Sequence, residues 1–265
     1  MSFTSELYGS EPIIHETSPV EVIETPDGMS RGLDLGLRGP GDYEYGSVAD
    51  PFPAELLIPM GEVQARIQEL EATKTRISDL IRAVQLPPKN QASTNYCWIN
   101  APTHCCEIVR AQQGLPMVIL SPASAGAQIK GYRNVGGWGL EGLQWITEHG
   151  LVPVDHWPAN AIDRKYATPE NKKLALNYRV VEWTELKPRN LQQLLSLLLR
   201  RIPVAVGYNW WGHEVTACDP VWLDGAAAVR IRNSWLNWGD YGFGVLQGSR
   251  VLPDDAVAPR TASIA

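Results

Sequence analysis

Cysteine is scarce in this chain, four in 265 residues, and phenylalanine scarcer still, with three. Four thiols could close two disulfides, but Cys105 and Cys106 are neighbours, and a chain of this length buries a core without covalent staples. They are read as free thiols of a reducing compartment. Long apolar runs are missing as well. No stretch nears the roughly 18 residues that a membrane-spanning helix requires. Residues 1–30 are polar and acidic, without the basic start and apolar run of a secretion signal, so neither membrane nor export is expected. No basic tract stands out in a chain of net charge −6, which argues against a nucleic-acid partner. The five histidines and four cysteines lack a combined ligand spacing, so no metal site and no cofactor is expected.

What remains is the composition of a globular protein, and its ten tryptophans concentrate beyond Cys97, where the folded mass is expected. Charge is uneven along the chain. Residues 1–60 carry eleven acidic and two basic side chains, whereas the remaining 205 are net +3. With seven prolines and seven glycines, residues 1–60 read as an extended acidic arm, with strand-like pieces around Pro19 to Ile23. Its apolar residues, Ile13, Ile14, Val20, Val22, Leu33, Leu35 and Leu37, suit an arm that wraps its own domain or meets another subunit.

Between 61 and 85 the spacing of Val63, Ile67, Leu70, Lys74, Ile77, Ile81 and Val84 predicts one long amphipathic helix, ended by Pro87-Pro88, with only Lys74 interrupting its apolar stripe. That face can lie on the body of the same chain or on an assembly partner, so residues 1–84 are a candidate interaction surface. Residues 86–250 read as the main domain. A helix is expected from Cys97 to about Gln113, with an irregular start because of Pro102. Another runs from G-L-E-G-L-Q-W to near Gly150, and a third from Leu191 to Arg201. Strands follow at P-V-A-V-G-Y, H-E-V-T-A-C, A-A-V-R-I-R and F-G-V-L, with D-P-V-W-L-D-G among the turns. Residues 251–265 read as a C-terminal tail. Helices first and an antiparallel meander after them predict an α+β fold with a cleft between two parts.

Cys97 opens a helix, where the helix dipole and unsatisfied N–H groups favour thiolate over thiol. A thiol nucleophile needs a histidine base, and that base needs an orienting partner. His213 alone among the histidines opens a strand, and Asn233 closes a neighbouring one, with Trp235 placed to cover a bond between them. Taken singly, each of these residues is more often structural.

Together they carry a resemblance. N-Q-A-S-T-N-Y-C-W is similar to the nucleophile segment of papain-like cysteine peptidases, in which a glutamine stands six residues before a Cys-Trp pair. W-G-H-E-V and I-R-N-S-W-L-N-W-G resemble that family's histidine and asparagine segments in the same chain order, and N-V-G-G-W-G its substrate-lining Gly-Gly turn. The resemblance covers roughly residues 86–248. It implies a two-lobed papain-like fold and hydrolysis of peptide bonds through an acyl thioester. In that scheme Cys97 is nucleophile, His213 base and acid, Asn233 its orienter, and Gln91 an oxyanion donor. Gly136 and Gly137 line the groove, while Trp98 and Trp235 support, and a peptide or protein is the substrate. Thr94 and Asn134 occupy the places of the family's usual cysteine pair. Glu214 follows the histidine where a small apolar residue is common, and strand alternation is expected to turn it from the face of His213. The arm lacks a recognisable pro-segment motif, though it could block the groove. The alternative is a structural or interaction component on the same scaffold, for example in a viral particle. Localisation is accordingly expected to be cytoplasmic or virion-associated.

Overall fold

The computed structural model describes residues 7–18, 30–34 and 52–263. The stretch from Pro19 to Ile23, where strand-like pieces are expected, lies outside the described residues, as do Leu35 and Leu37.

One eight-stranded sheet organises the molecule in the order β1-β2-β7-β6-β5-β4-β8-β3. Its centre is the expected meander: β4 (Val204–Tyr208), β5 (His213–Leu223), β6 (Ala226–Arg232) and β7 (Phe243–Leu246), each antiparallel to the next. D-P-V-W-L-D-G is not a turn. β5 passes through Asp219 and Pro220 with a bulge between Ala217 and Asp219, and only Asp224 and Gly225, both at positive φ, turn the chain. Pro220 is tolerated close to that irregularity, where the ladder is already interrupted.

The supposed C-terminal tail is a correction of substance. Asp255–Ala262 forms β8, inserted between β4 and β3 (Val180–Glu185). Its small residues and Pro259 hide a strand signal, yet the ladder to β4 ends at Val257, before the proline, and Ala256, Val257 and Ala258 are buried.

Helices cover both faces. On one lie α3 (Cys97–Gln112), α4 (Ala123–Ile129) and α5 (Gly139–His149), which with α6 (Pro169–Ala175) enclose a core that includes Trp98, Leu143, Trp157 and Trp183. α7 (Leu191–Leu199) packs on the other, where Leu194 and Leu198 meet Val206, Val215 and Ile231. The helix α3 runs through Pro102 without ending.

The single long helix expected over 61–85 is two helices, α1 (Val63–Thr73) and α2 (Ile77–Ala83). Lys74, the residue that interrupts the apolar stripe, adopts the left-handed conformation at φ 52° and caps α1. Asp79 restarts the helix by accepting from the Arg76 N–H and guanidinium. The break serves packing. Val63 and Ile67 join the core beneath α7, whereas Ile77 and Ile81 join Ile108, Cys218 and Phe243 in a separate cluster.

Part of the acidic arm belongs to the sheet. β1 (Leu7–Tyr8) and β2 (Glu11–Ile14) form a hairpin, and β2 pairs in parallel with β7. Ile13 and Ile14 are buried. Glu11, at 5% exposure, pairs with the equally buried Arg230 at 2.8 Å, and Arg230 also bonds Asp219 and the Ser78 hydroxyl. A buried guanidinium is tolerable only with such partners, so the hairpin is tied to sheet and α2 alike.

Candidate functional site

Cys97 is the first residue of α3, preceded by a Tyr96 N-cap that supplies no side-chain cap. That leaves first-turn N–H groups facing the thiol: the sulfur is held by the backbone N–H groups of Trp98, of Glu214 and of Gly32, the last at 3.2 Å. β5 begins beside it with His213, whose Nε2 donates to Asn233 Oδ1 at 2.8 Å. The Ser234 N–H donates to the same oxygen, which fixes the carboxamide. With the proton on Nε2, Nδ1 carries a lone pair, and it makes no hydrogen bond to Cys97 or any other described residue. The Trp235 ring stacks on His213 with centroids 4.2 Å apart and planes 21° from parallel.

Gln91 is completely buried. Ser234 Oγ donates to its Oε1 at 2.6 Å, so its Nε2 is aimed at the carbonyls of Ser30 and Thr94, 2.7 and 2.9 Å away. Trp98 sits under the Gly136-Gly137 turn and donates weakly to Val135 O. In the place of the usual cysteine pair, Asn134 accepts from the Asn95 N–H and donates to Ser93 O, a polar cross-link between the same two loops. All four cysteines are unpaired and buried.

The cleft is filled by the chain's own arm. Ser30 to Asp34 crosses it as an extended strap. Gly137 N–H donates to Gly32 O, and Asp34 N–H to Gly137 O, a parallel bridge centred on Leu33. Leu33 N–H donates to Gly212 O, Arg31 to Trp211 O, and the Trp138 indole to Asp34 O. Sequence reasoning allowed that the arm could block the groove but did not single out this segment. The one signal was the glycine of R-G-L-D, because the strap's contacts are made mostly by backbone atoms.

Covering the cleft inverts the expected electrostatics. Burial is the main cause that pushes the Cys97 thiol up, to about 12, with the Glu214 charge adding to it and the three N–H groups opposing. Burial also lowers His213 to about 3; the Asn233 bond opposes this and the Arg31 guanidinium assists. Thiol and imidazole are therefore both neutral here, and the thiolate expected at a helix start is not favoured while water is excluded. Glu214 does turn from the face of His213, toward Gly139 of α5. That direction is also toward the start of α3, which is why its charge reaches Cys97.

A second buried set was missed in the sequence. Lys89, two residues before Gln91, pairs with Glu107 of α3; Glu107 meets His104 at 3.3 Å; His104 accepts from Arg232 at 3.1 Å. Arg232 precedes Asn233 and also donates to Leu86 O. Desolvation holds His104 at about 4, so it is neutral and links the Glu107 carboxylate to the Arg232 guanidinium by hydrogen bonds, while Lys89 joins the set through Glu107. The segments bearing Cys97, Gln91 and Asn233 are thereby held to one another.

No protein-family model and no curated protein matches the chain. Solved structures do. The digestive procathepsin L 3 of Tenebrio molitor larval midgut aligns with TM-score 0.56 and 17% identity over 67% of this chain and 66% of its own, so the chain spans just under two thirds of that relative. Xylellain, a cysteine protease from Xylella fastidiosa, aligns with TM-score 0.55 and 19% identity over 66% and 83%. The ragweed pollen allergen Amb a 11, a cysteine protease solved in its proform, gives 0.53 and 17% over 68% and 62%. Identities this low establish architecture, and the architecture is papain-like: a helical region and an antiparallel sheet with the cleft between them.

Proposed function

We propose that the chain is a cysteine peptidase held in a covered state, with Cys97, His213, Asn233 and Gln91 as its catalytic set, a reading supported by the papain-like fold. The observation that carries this is the bond from His213 Nε2 to Asn233, on a ring stacked against Trp235, at the strand end whose next N–H contacts the Cys97 sulfur. Asn233 fixes the tautomer that leaves Nδ1 as a base, the role such a partner plays beside a nucleophile. Once water returns to the cleft, Nδ1 takes the Cys97 proton and the sulfur attacks a scissile carbonyl carbon. The oxyanion is met by Gln91 Nε2 and the Cys97 N–H. His213 gives its proton to the leaving amine, then activates water to release the acyl group. Loss of the Gln91 donor is expected to cost about 3 kcal/mol, a hundredfold or more in rate.

That the substrate is a peptide or protein is supported by the groove's present occupant, an extended backbone lying along Gly136 and Gly137. Free thiols suit a reducing setting such as cytoplasm, or a virion assembled there. A second reading, an interaction component on a peptidase scaffold, is favoured by the filling of the cleft. Against a role of residues 1–84 as an assembly surface stands the burial of Ile13, Ile14, Val63, Ile67, Ile77 and Ile81 in the chain's own body. Selective alkylation decides between the readings. Iodoacetamide near neutral pH with peptide mass mapping should modify Cys97 ahead of Cys105, Cys106 and Cys218, because Cys97 is covered by the backbone of a strap whereas the other three lie inside packed core clusters. Hydrolysis of a peptide library should vanish in Cys97→Ala. Preferential labelling elsewhere, or hydrolysis surviving that substitution, removes the mechanism.

A further inference from the structure

We infer that a cavity between α4, α5 and α6, away from the cleft, binds a small amphipathic acid, an aryl or alkyl body carrying one carboxylate. The inference stands on the walls and mouth of that cavity and does not depend on the peptidase reading.

The cavity holds about 430 Å³, within the roughly 300–1,000 Å³ usual for small-molecule sites. It lies toward the far end of α5. Trp145 and His149 border it, whereas the first residue of that helix, Gly139, follows the Gly136-Gly137 turn of the cleft. At the rise of an α-helix the two rings stand about 9 and about 15 Å along the axis from Gly139.

The first argument is that the walls are held open. The Trp145 ring stacks on His149 with centroids 4.1 Å apart. Trp157 is fixed twice: its N–H donates to Ala161 O at 2.8 Å, and its ring centroid lies 5.8 Å from that of Tyr166. Ser124, also in the wall, accepts from the Val152 N–H and donates to Ser121 O. Groups locked by such partners do not collapse inward, so the space is preorganised for an apolar guest.

The second argument is what the wall leaves unspent. Unlike Trp157, Trp145 has a buried indole N–H with no acceptor among the described residues. A buried donor in that state is costly, and an acceptor oxygen on a guest removes the cost. Leu176, at 45% exposure, borders the same cavity and leaves apolar surface in water.

The third argument is charge. Lys172 and Lys173 border the cavity while remaining exposed, an arrangement in which apolar stems cover an edge and ammonium groups stay in water. Neither forms an ion pair with a described residue, and no carboxylate among the described residues borders the cavity. Their place in the last turn of α6 complements the helix dipole. That explains a positive charge there, but not two unpaired ones at the mouth of a tryptophan-walled cavity. No arginine borders it, so the forked donors that favour phosphate are missing, and two point charges suit a single carboxylate.

The test titrates the full chain by calorimetry with phenylbutyrate and octanoate, and with phenylbutanol and octanol as uncharged counterparts. One acid should bind per chain, about tenfold or more tightly than its alcohol, and added salt should narrow that ratio. Lys172→Gln with Lys173→Gln should weaken the acids about tenfold and leave the alcohols within about twofold. Trp145→Phe, which keeps a ring and removes the N–H, should weaken acid and alcohol alike, by about threefold or more. Failure of both acids to bind at about 5 mM overturns the inference. So does equal affinity for acid and alcohol, or acid binding that the double lysine substitution leaves unchanged.

Discussion

Two short pieces of the same acidic arm, Glu11–Ile14 and Ser30 to Asp34, are both extended and both lie against the body, yet they are held in unlike ways. The first is a sheet strand with buried isoleucines and a buried ion pair. The second is bound mainly by single backbone bonds to loop and turn atoms, with Leu33 its buried apolar contact. Burial of apolar surface and of paired charge makes the first expensive to remove. Backbone bonds that water can replace contribute about 1 kcal/mol each. One arm therefore supplies an anchored strand and a cover for the cleft, and the difference lies in side chains rather than in backbone shape.

The comparison breaks most visibly at the anchor. Glu11→Ala strips Arg230 of one of two carboxylates in a buried setting, and unfolding by urea should report a loss of about 3 kcal/mol or more. The same change should leave Cys97 alkylation near the wild-type rate, because the strap is still held from its other end. A smaller loss than that of an exposed pair would mean that the hairpin is not anchored.

Acid acts on two buried rings, one beneath the cover and one in the set that holds the site's segments together. His213 and His104 are neutral in the fold, at about 3 and about 4 against 6.5 when unfolded. The unfolded chain binds protons that the fold refuses, so stability is present above about 6.5 and falls as pH drops toward those folded values. The loss should reach about 3 kcal/mol per histidine at pH 4. Chemical unfolding from pH 7 to pH 4 reads it, and a flat profile would contradict the burial of both rings. Least in size is Lys74→Gly. Relieving a left-handed lysine should stabilise by about 1 kcal/mol or less, which a thermal melt resolves; destabilisation would mean that the Lys74 side chain contributes contacts.

The contrast also explains what could be read from the sequence. Cys97, His213, Asn233, Gln91 and Trp235 were singled out through the residue types such chemistry needs and the chain order of a resembling family, since chemistry alone fixes no order; the meander was legible because its strands alternate between short turns. The strap was not, since its recognition is by backbone and leaves only Gly32 as a mark. β2 was hidden because its parallel partner β7 lies more than two hundred residues away, and β8 because alanines and a proline carry little strand preference. In 61–85 the apolar spacing was right but continuity was not: Lys74 marked a reversal rather than a tolerated polar position. Helix-start reasoning about the Cys97 thiol failed for a related reason, since the dipole term is overtaken when a distant segment excludes water.

Formation of an acyl thioester on Cys97 is the most direct test of the central claim. The Gly32→Val chain, whose added side chain crowds the Asn95 carbonyl and lifts the strap from Cys97, is mixed with an activated peptide ester and quenched in acid. Intact-mass and peptide mapping should show a single acyl adduct on Cys97, absent when Cys97→Ala is added. An exposed Cys97 that acquires no adduct, or an adduct that persists elsewhere after Cys97→Ala, would contradict it.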